Sequence, residues 1–122
     1  MEWRNYKPGD LIFREGEPSD AAYLIVSGEV KIVKGYESDH PRELAVVRAG
    51  EYVGEMGAVD NLPRSASAVA QGAVVCAPVT PEEFMDLLRR NPDEAIALLR
   101  VLFDRLRTAN RRLAEIGELP AG

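Results

Sequence analysis

Cysteine and histidine are nearly absent from this sequence, and their scarcity removes several kinds of chemistry. Cys76 is the only cysteine, so no disulfide bond can form within the chain. Its place in the apolar run Ala73–Pro78 predicts a buried, small hydrophobic side chain. His40 is the only histidine and lies in a polar stretch, so one chain cannot assemble a histidine-rich metal site. We expect a reducing cytoplasm as the location, and no metal.

Long apolar runs and an excess of positive charge are also missing. No run is long enough to cross a membrane, and the polar start Met1–Asn5 does not resemble a signal peptide, so we predict no membrane segment. The net charge of −5 argues against a nucleic-acid-binding surface within these residues. A chain of 122 residues with 46% hydrophobic residues is typical of one soluble domain, predicted over residues 1–122.

Short apolar segments separated by glycine-containing turns occupy residues 5–79 and predict a β sandwich or barrel. One strand is predicted over Ala22–Ser27 and is closed by Gly28. The next is predicted over Glu29–Tyr36, and a third over Glu43–Arg48 after an exposed polar loop. The sequence is therefore mainly β in its first two thirds.

The hydrophobic period lengthens after the last strand and predicts two helices over residues 80–116. Thr80 is a suitable N-cap, Pro81 suits the first helical turn, and Glu83 completes a capping box. The second and longer helix begins at about Asp93. It carries several arginines, which we interpret as a solvated face.

Apolar residues on the long helix recur at alternating spacings of three and four, which is a heptad pattern. A second apolar row of Leu98, Leu102 and Ala109 lies on the neighbouring face. One interpretation places one face against the barrel and the other against a second chain, and we predict a weak parallel homodimer. The alternative interpretation is that both apolar rows form a single wide stripe that packs against one core. The heptad row is Ile96, Leu99, Phe103, Leu106 and Leu113, with Asn110 between the last two.

The segment Tyr52–Ala70 carries the residues most suited to bind a ligand. Gly54 permits a tight turn, and Glu55–Val59 is long enough for one helical turn with unpaired N–H groups at its start. Arg64 supplies a guanidinium that can bind a phosphate with two donors, and Glu55 can accept from a hydroxyl. A sugar phosphate fits this set. The alternative is that Glu55 and Arg64 form an ordinary surface ion pair.

The family resemblance lies in two motifs of this segment, Gly54-Glu55-Met56-Gly57-Ala58 and Pro63-Arg64-Ser65-Ala66. They resemble the phosphate-binding cassette of cyclic nucleotide-binding domains, a family that includes catabolite activator proteins, regulatory subunits of cAMP-dependent kinase and cyclic-nucleotide-gated channels. The resemblance extends roughly over Tyr6–Leu113. It implies a jelly-roll β-barrel that carries a short phosphate-binding helix and a long C-terminal helix.

The resemblance also implies roles for the polar residues of the cassette. Arg64 would pair with the cyclic phosphate of cAMP or, as the alternative, cGMP. Glu55 would accept a hydrogen bond from the ribose 2′-hydroxyl. The residues that would surround the phosphate are Gly54, Met56, Gly57 and Ser65.

The purine base would meet a different set of residues. Val53 or Met56, with the Val46–Val47 strand, would supply apolar contacts, and the Ser65 hydroxyl would be able to reach a guanine amino group. Asn110 has three interpretations: a contact to the purine, a pair with its own copy in a dimer, or an exposed position at the helix end. Binding would move the long helix, which is the switch used by the resembled family.

Three classes of function remain open at this point. The favoured one is a cyclic nucleotide-binding regulatory module, and the second is a degenerate domain that serves as a dimerisation or docking scaffold. The third is a jelly-roll enzyme, although no catalytic residue is predicted, because Ser65 and Ser67 lack a nucleophile elbow and Cys76 lacks a nearby base. The helix-turn-helix domain of catabolite activators does not follow the long helix in this sequence, which fits either a stand-alone sensor or a portion of a larger chain.

Overall fold

The computed structural model describes residues 2–115, which divide after Asp86 into two compact units. The first unit contains the strands and a short helix, and the long helix belongs to the second. The elements, in chain order, are β1 Arg4–Tyr6, β2 Leu11–Phe13, β3 Ala22–Lys34, β4 Arg42–Arg48, β5 Tyr52–Val53, α1 Glu55–Asp60, β6 Ser67–Val79, α2 Pro81–Arg90 and α3 Pro92–Glu115.

All six described strands belong to one antiparallel sheet, in which the long strands β3 and β6 are neighbours. The sheet follows the order β1-β6-β3-β4, with β2 paired to β6 and β5 paired to β3. This confirms a mainly β chain with C-terminal helices. Among the described strands the pairing runs as an open path, so the sheet itself does not display the closed barrel that was predicted.

The prediction of two separate strands on either side of Gly28 is wrong, because β3 runs through this residue. Gly28 has φ +89°, and a Cβ placed on it would collide with the carbonyl oxygen of Ala73 on β6. Both halves of β3 nevertheless pair with β6, as Ile25 does with Cys76 and Val30 with Ala70. The register shifts around Gly28, so the glycine forms a bulge that bends the strand without ending it.

The core of the first unit lies between β3, β4 and β6. Val30, Val47 and Val74 are buried there beside Cys76, which is fully buried as predicted. Burial raises the pKa of the Cys76 thiol, so the cysteine behaves as a small hydrophobic side chain and not as a nucleophile.

The start of α2 agrees with the predicted N-cap at Thr80, and the Glu83 side chain bonds to the Thr80 hydroxyl. The Glu83 N–H donates to Thr80 Oγ1 at 3.1 Å, and Thr80 Oγ1 donates to Glu83 Oε1 at 2.9 Å. Phe84 follows on the buried side of the helix, where its ring meets Tyr52 edge-on at 5.2 Å between centroids. The cap therefore fixes the point at which α2 leaves β6.

The long helix α3 begins at Pro92, which agrees with the predicted start at Asp93 or just before it, and is described as far as Glu115. The predicted end at residue 116 lies outside the described residues. No residue of α3 is buried, whereas Asn110 and Leu113 are half-buried. No described helix is long and apolar enough to span a bilayer. Four members of the heptad row are exposed: Ile96, Leu99, Phe103 and Leu106.

Candidate functional site

A sharp turn at Gly54 leads from β5 into α1 and requires glycine for two reasons. Its φ of +78° lies in the left-handed region, which other residues rarely adopt. A Cβ at this position would collide with the Arg64 guanidinium and would lie 3.0 Å from the Phe13 ring. The backbone of Gly54 and the side chain of Arg64 are therefore packed directly against each other.

The end of α1 is attached to the turn between β2 and β3. Ser19 Oγ donates to the Leu62 carbonyl at 2.6 Å, and its side chain lies where a Cβ on Gly57 would be. Asn61 ends the helix with φ 58°, and its N–H donates to the Gly57 carbonyl at 3.0 Å. Gly57 thus allows the cassette helix to sit close against Ser19.

Arg64 points inward, and its side chain is only 2% exposed. Its Nη1 donates to the Gly54 carbonyl at 3.1 Å, and its Nη2 donates to the Ala21 carbonyl at 2.6 Å and lies 3.3 Å from Asp20 Oδ1. The guanidinium carbon stands 4.1 Å from the centroid of the Phe13 ring, within range of a cation–π interaction. Burial lowers the pKa of Arg64. Its Nε is buried and has no hydrogen-bond partner in the structure.

Buried polar side chains are confined to one place in the part of the chain that the structure describes. They are Glu55, Arg64 and Ser67, and all three belong to the segment Tyr52–Ala70. The alternative of a solvent-exposed ion pair between Glu55 and Arg64 is therefore wrong, because both residues are at most 5% exposed. Burying charged groups is unfavourable unless they are paired, so this concentration marks the segment as the candidate site.

The other predicted residues lie in three different settings. Val53 is part of the hydrophobic core, whereas Met56 and Ser65 are exposed on the surface of the cassette. Asn110 belongs to the second unit. Of the Val46–Val47 pair, Val47 is in the core and Val46 is half-buried.

Sequence reasoning missed the residues of β2 and of the turn after it that pack against the cassette: Phe13 and Asp20 contact Arg64, and Ser19 contacts Leu62. Phe13 carried only a strand signal, and Ser19 and Asp20 carried only a turn signal. More than 40 residues separate Asp20 from Arg64 along the chain, since the hydrogen bond between them spans 44 positions. No local pattern reports such a contact.

The arrangement suits an anionic ligand that carries a hydroxyl group. A buried guanidinium with an unused Nε–H donor favours an anion, and a buried carboxylate on the adjacent helix is an acceptor for a hydroxyl. Among the described residues, no three histidine, cysteine, aspartate or glutamate side chains are grouped so as to bind a metal ion. The fold and the site together define a mainly β domain in which a buried guanidinium and a buried carboxylate form a candidate binding site for a hydroxyl-bearing anion.

Comparison with known proteins assigns the family. The model of the cyclic nucleotide-binding domain matches residues 3–91, and the chain belongs to this family. It is 37% identical over 110 residues to the cyclic AMP receptor protein of Thermus thermophilus, and 33% identical over 88 residues to a cAMP-dependent protein kinase regulatory subunit of Hypocrea atroviridis. These alignments cover 90% and 72% of this chain.

The structural comparison agrees with the sequence comparison. The crystal structure of the Thermus thermophilus catabolite activator protein superposes with a TM-score of 0.80 at 36% identity, covering 94% of this chain and 54% of the other. The chain spans 51% of the length of the receptor protein and 18% of the kinase subunit. The similarity therefore concerns the cyclic nucleotide-binding portion of these regulators.

Proposed function

We propose that this chain is a cytoplasmic regulatory module that binds a cyclic nucleotide, cAMP in the first place, and is a binding protein and not an enzyme. The observation that carries the proposal is the buried Arg64, whose Nε–H has no partner inside a cassette of the cyclic nucleotide-binding family. A cyclic phosphate carries one negative charge, so a single guanidinium is sufficient to neutralise it.

The cassette residues take complementary roles in this proposal. Arg64 donates to the cyclic phosphate, and Glu55 accepts from the ribose 2′-hydroxyl. The small residues Gly54 and Gly57 are proposed to let the backbone approach the phosphate closely. The exposed residues Met56 and Ser65 contribute at the edge of the ligand, and Val53 supports it from the core.

The base specificity is proposed to favour cAMP or to be equal for both nucleotides. The Ser65 hydroxyl is exposed beside Arg64, so it permits a contact to a guanine amino group without requiring one. We expect cAMP to bind at least as tightly as cGMP. A marked cGMP preference that Ser65→Ala removes would reverse this assignment.

The output is proposed to run through α3, and the strands are proposed to form the jelly roll of the family. Ile96, Leu99, Phe103 and Leu106 are between 47% and 57% exposed along the heptad row, which supports a parallel homodimer through this helix. Asn110 lies on the same row and is half-buried, where it would pair with its copy or contact the purine. Nucleotide binding would move α3 and strengthen the dimer.

One observation favours the alternative of a scaffold without nucleotide. The two terminal nitrogens of Arg64 already bind Gly54, Ala21 and Asp20, so much of the guanidinium is occupied by the protein itself. In this alternative Arg64 serves to hold the turn between β2 and β3, and α3 alone carries the function.

Isothermal titration calorimetry separates these functions. The chain is titrated with cAMP, cGMP and cyclic di-GMP, and with 5′-AMP as the control that lacks the cyclic phosphate. We expect saturable binding of cAMP and little or none of 5′-AMP. A folded chain, verified by circular dichroism, that binds none of the cyclic nucleotides would refute the proposal and leave the scaffold.

A further inference from the structure

The residues around Arg64 are joined by main-chain hydrogen bonds to the turn between β2 and β3. The Gly16 N–H donates to the Arg64 carbonyl at 2.9 Å, and the Arg64 N–H donates to the Glu17 carbonyl at 2.8 Å. The Glu15 N–H donates to the buried Ser67 Oγ at 3.0 Å. The backbone on both sides of Arg64 is therefore held by a short stretch of that turn.

A side-chain bridge joins the same two segments to the end of β3. Lys34 Nζ donates to the Ser65 carbonyl at 2.8 Å and lies 3.0 Å from Glu15 Oε2. The other carboxylate oxygen, Glu15 Oε1, accepts from the Gly35 N–H at 3.0 Å. Lys34 thus connects three parts of the chain: the end of β3, the turn after β2, and the residue that follows Arg64.

We propose that Lys34 and Glu15 are positioning residues for Arg64, which set nucleotide affinity by holding the Ser65 carbonyl while they themselves stay outside the site. The inference rests on the proposed function. Ser65 is bonded directly to Arg64, so fixing its carbonyl restricts the main-chain rotation that aims the guanidinium. Both side chains are substantially exposed, at 54% and 34%, and exposed ion pairs contribute little to global stability. Their effect is therefore local.

A simple electrostatic effect of Lys34 on an anionic ligand is the competing explanation, and Glu15 distinguishes the two. Glu15→Gln removes a negative charge near the site, so a purely electrostatic role predicts tighter binding of cAMP. Positioning predicts weaker binding, because Lys34 loses the carboxylate that holds it against Ser65. The sign of the change therefore separates the explanations.

The binding experiment compares Lys34→Met with a matched lysine on the same strand. The Lys31 side chain is 38% exposed and its Nζ lies 3.9 Å from Glu43 Oε2 on β4, so Lys31→Met is the control. We expect Lys34→Met and Glu15→Gln each to weaken cAMP binding about three- to tenfold, the cost of one hydrogen bond that fixes a binding residue. Lys31→Met should match the wild type, and Lys34→Arg should restore most of the loss.

Hydrogen exchange of the ligand-free chain tests the positioning without any nucleotide. We expect the Arg64 and Gly16 amides to exchange faster in Lys34→Met than in the wild type. The Ala70 amide, which donates to the Asp10 carbonyl at 2.8 Å, should be unchanged. Unchanged exchange at Arg64 and Gly16, or tighter cAMP binding by Glu15→Gln, would overturn the inference. A wild-type chain that binds no cyclic nucleotide would refute the proposed function, and the exchange result would still decide the positioning role.

Discussion

Replacing Arg64 changes both the ligand site and the interior of the domain, and the structure allows the two effects to be separated. Arg64→Ala removes the proposed donor to the phosphate. It also removes hydrogen bonds to the Gly54 and Ala21 carbonyls and the stacking on Phe13. Arg64→Lys keeps the charge but loses the planar fork that serves several acceptors at once.

The expected loss of stability follows from these contacts. Each hydrogen bond contributes about 0.5–1.5 kcal/mol and a desolvated cation–π contact about 2 kcal/mol, so Arg64→Ala should lower the free energy of unfolding by about 3–5 kcal/mol. A domain of this kind has about 5–15 kcal/mol in total, so most of the chain should remain folded at low temperature. Arg64→Lys should lose less.

The expected loss of cAMP affinity in Arg64→Ala follows from the loss of the charged partner of the phosphate. Removing one member of a buried charge pair costs about 2–5 kcal/mol, which corresponds to about a thirtyfold to several-thousandfold weaker binding. Arg64→Lys should fall near the lower end, because the charge remains. Arg14→Ala is the control, since Arg14 is an exposed arginine paired with Glu37 at 2.9 Å. It should bind cAMP like the wild type.

The assay combines calorimetric titration with cAMP, well below the melting temperature, with thermal denaturation followed by circular dichroism. The two readouts separate a missing ligand contact from a partly unfolded protein. A folded Arg64→Lys chain with wild-type cAMP affinity would refute the assignment of Arg64 to the phosphate. Equal losses of affinity in Arg64→Ala and Arg14→Ala, each of which removes one positive charge, would indicate a general charge effect.

Three further predictions use other parts of the structure. Glu55→Ala should weaken cAMP less than the Arg64 variants and should reduce the preference for ribose over 2′-deoxyribose ligands; equal losses for both ligands in calorimetry would contradict the hydroxyl contact. Gly54→Ala should lower the melting temperature and weaken cAMP, because its Cβ meets Arg64, whereas Gly50→Ala has open space and should show only the strain of its φ of +90°. Phe103→Ser should abolish the dimer, as measured by analytical ultracentrifugation. Asn110→Ala should change the mass of the assembly or the affinity for cAMP. A wild-type chain that is monomeric with and without cAMP would exclude the dimer.

Local sequence signals predicted those features that depend on neighbouring residues. The N-cap at Thr80, the turn at Gly54 and the start of α3 each require only a few adjacent residues, and the structure contains all of them. The bulge at Gly28 was predicted as a strand end, because a glycine before an acidic residue also occurs at turns. Only pairing with β6 shows that the strand continues.

The parts of the candidate site that lie close together in the sequence were predictable. The contacts between segments that are distant in the sequence were not. Glu55 and Arg64 lie within one segment, Tyr52–Ala70, in which a short helix and a turn connect them. Asp20 and Phe13 reach Arg64 from another part of the chain, and Lys34 reaches Ser65 from the end of β3. These contacts depend on the sheet topology, which the sequence pattern alone does not specify.

The location of the buried polar groups bears on the choice between a ligand site and a scaffold. Glu55, Arg64 and Ser67 are the buried polar residues of the described chain, and removing charged groups from water is unfavourable. Apolar residues of similar volume often give equal or greater stability than a buried ion pair, so stability alone does not account for charges at this position. A ligand phosphate would supply the missing acceptor for Arg64 Nε, which the protein leaves without a partner. The balance of these free energies therefore favours nucleotide binding over a purely structural role for the cassette.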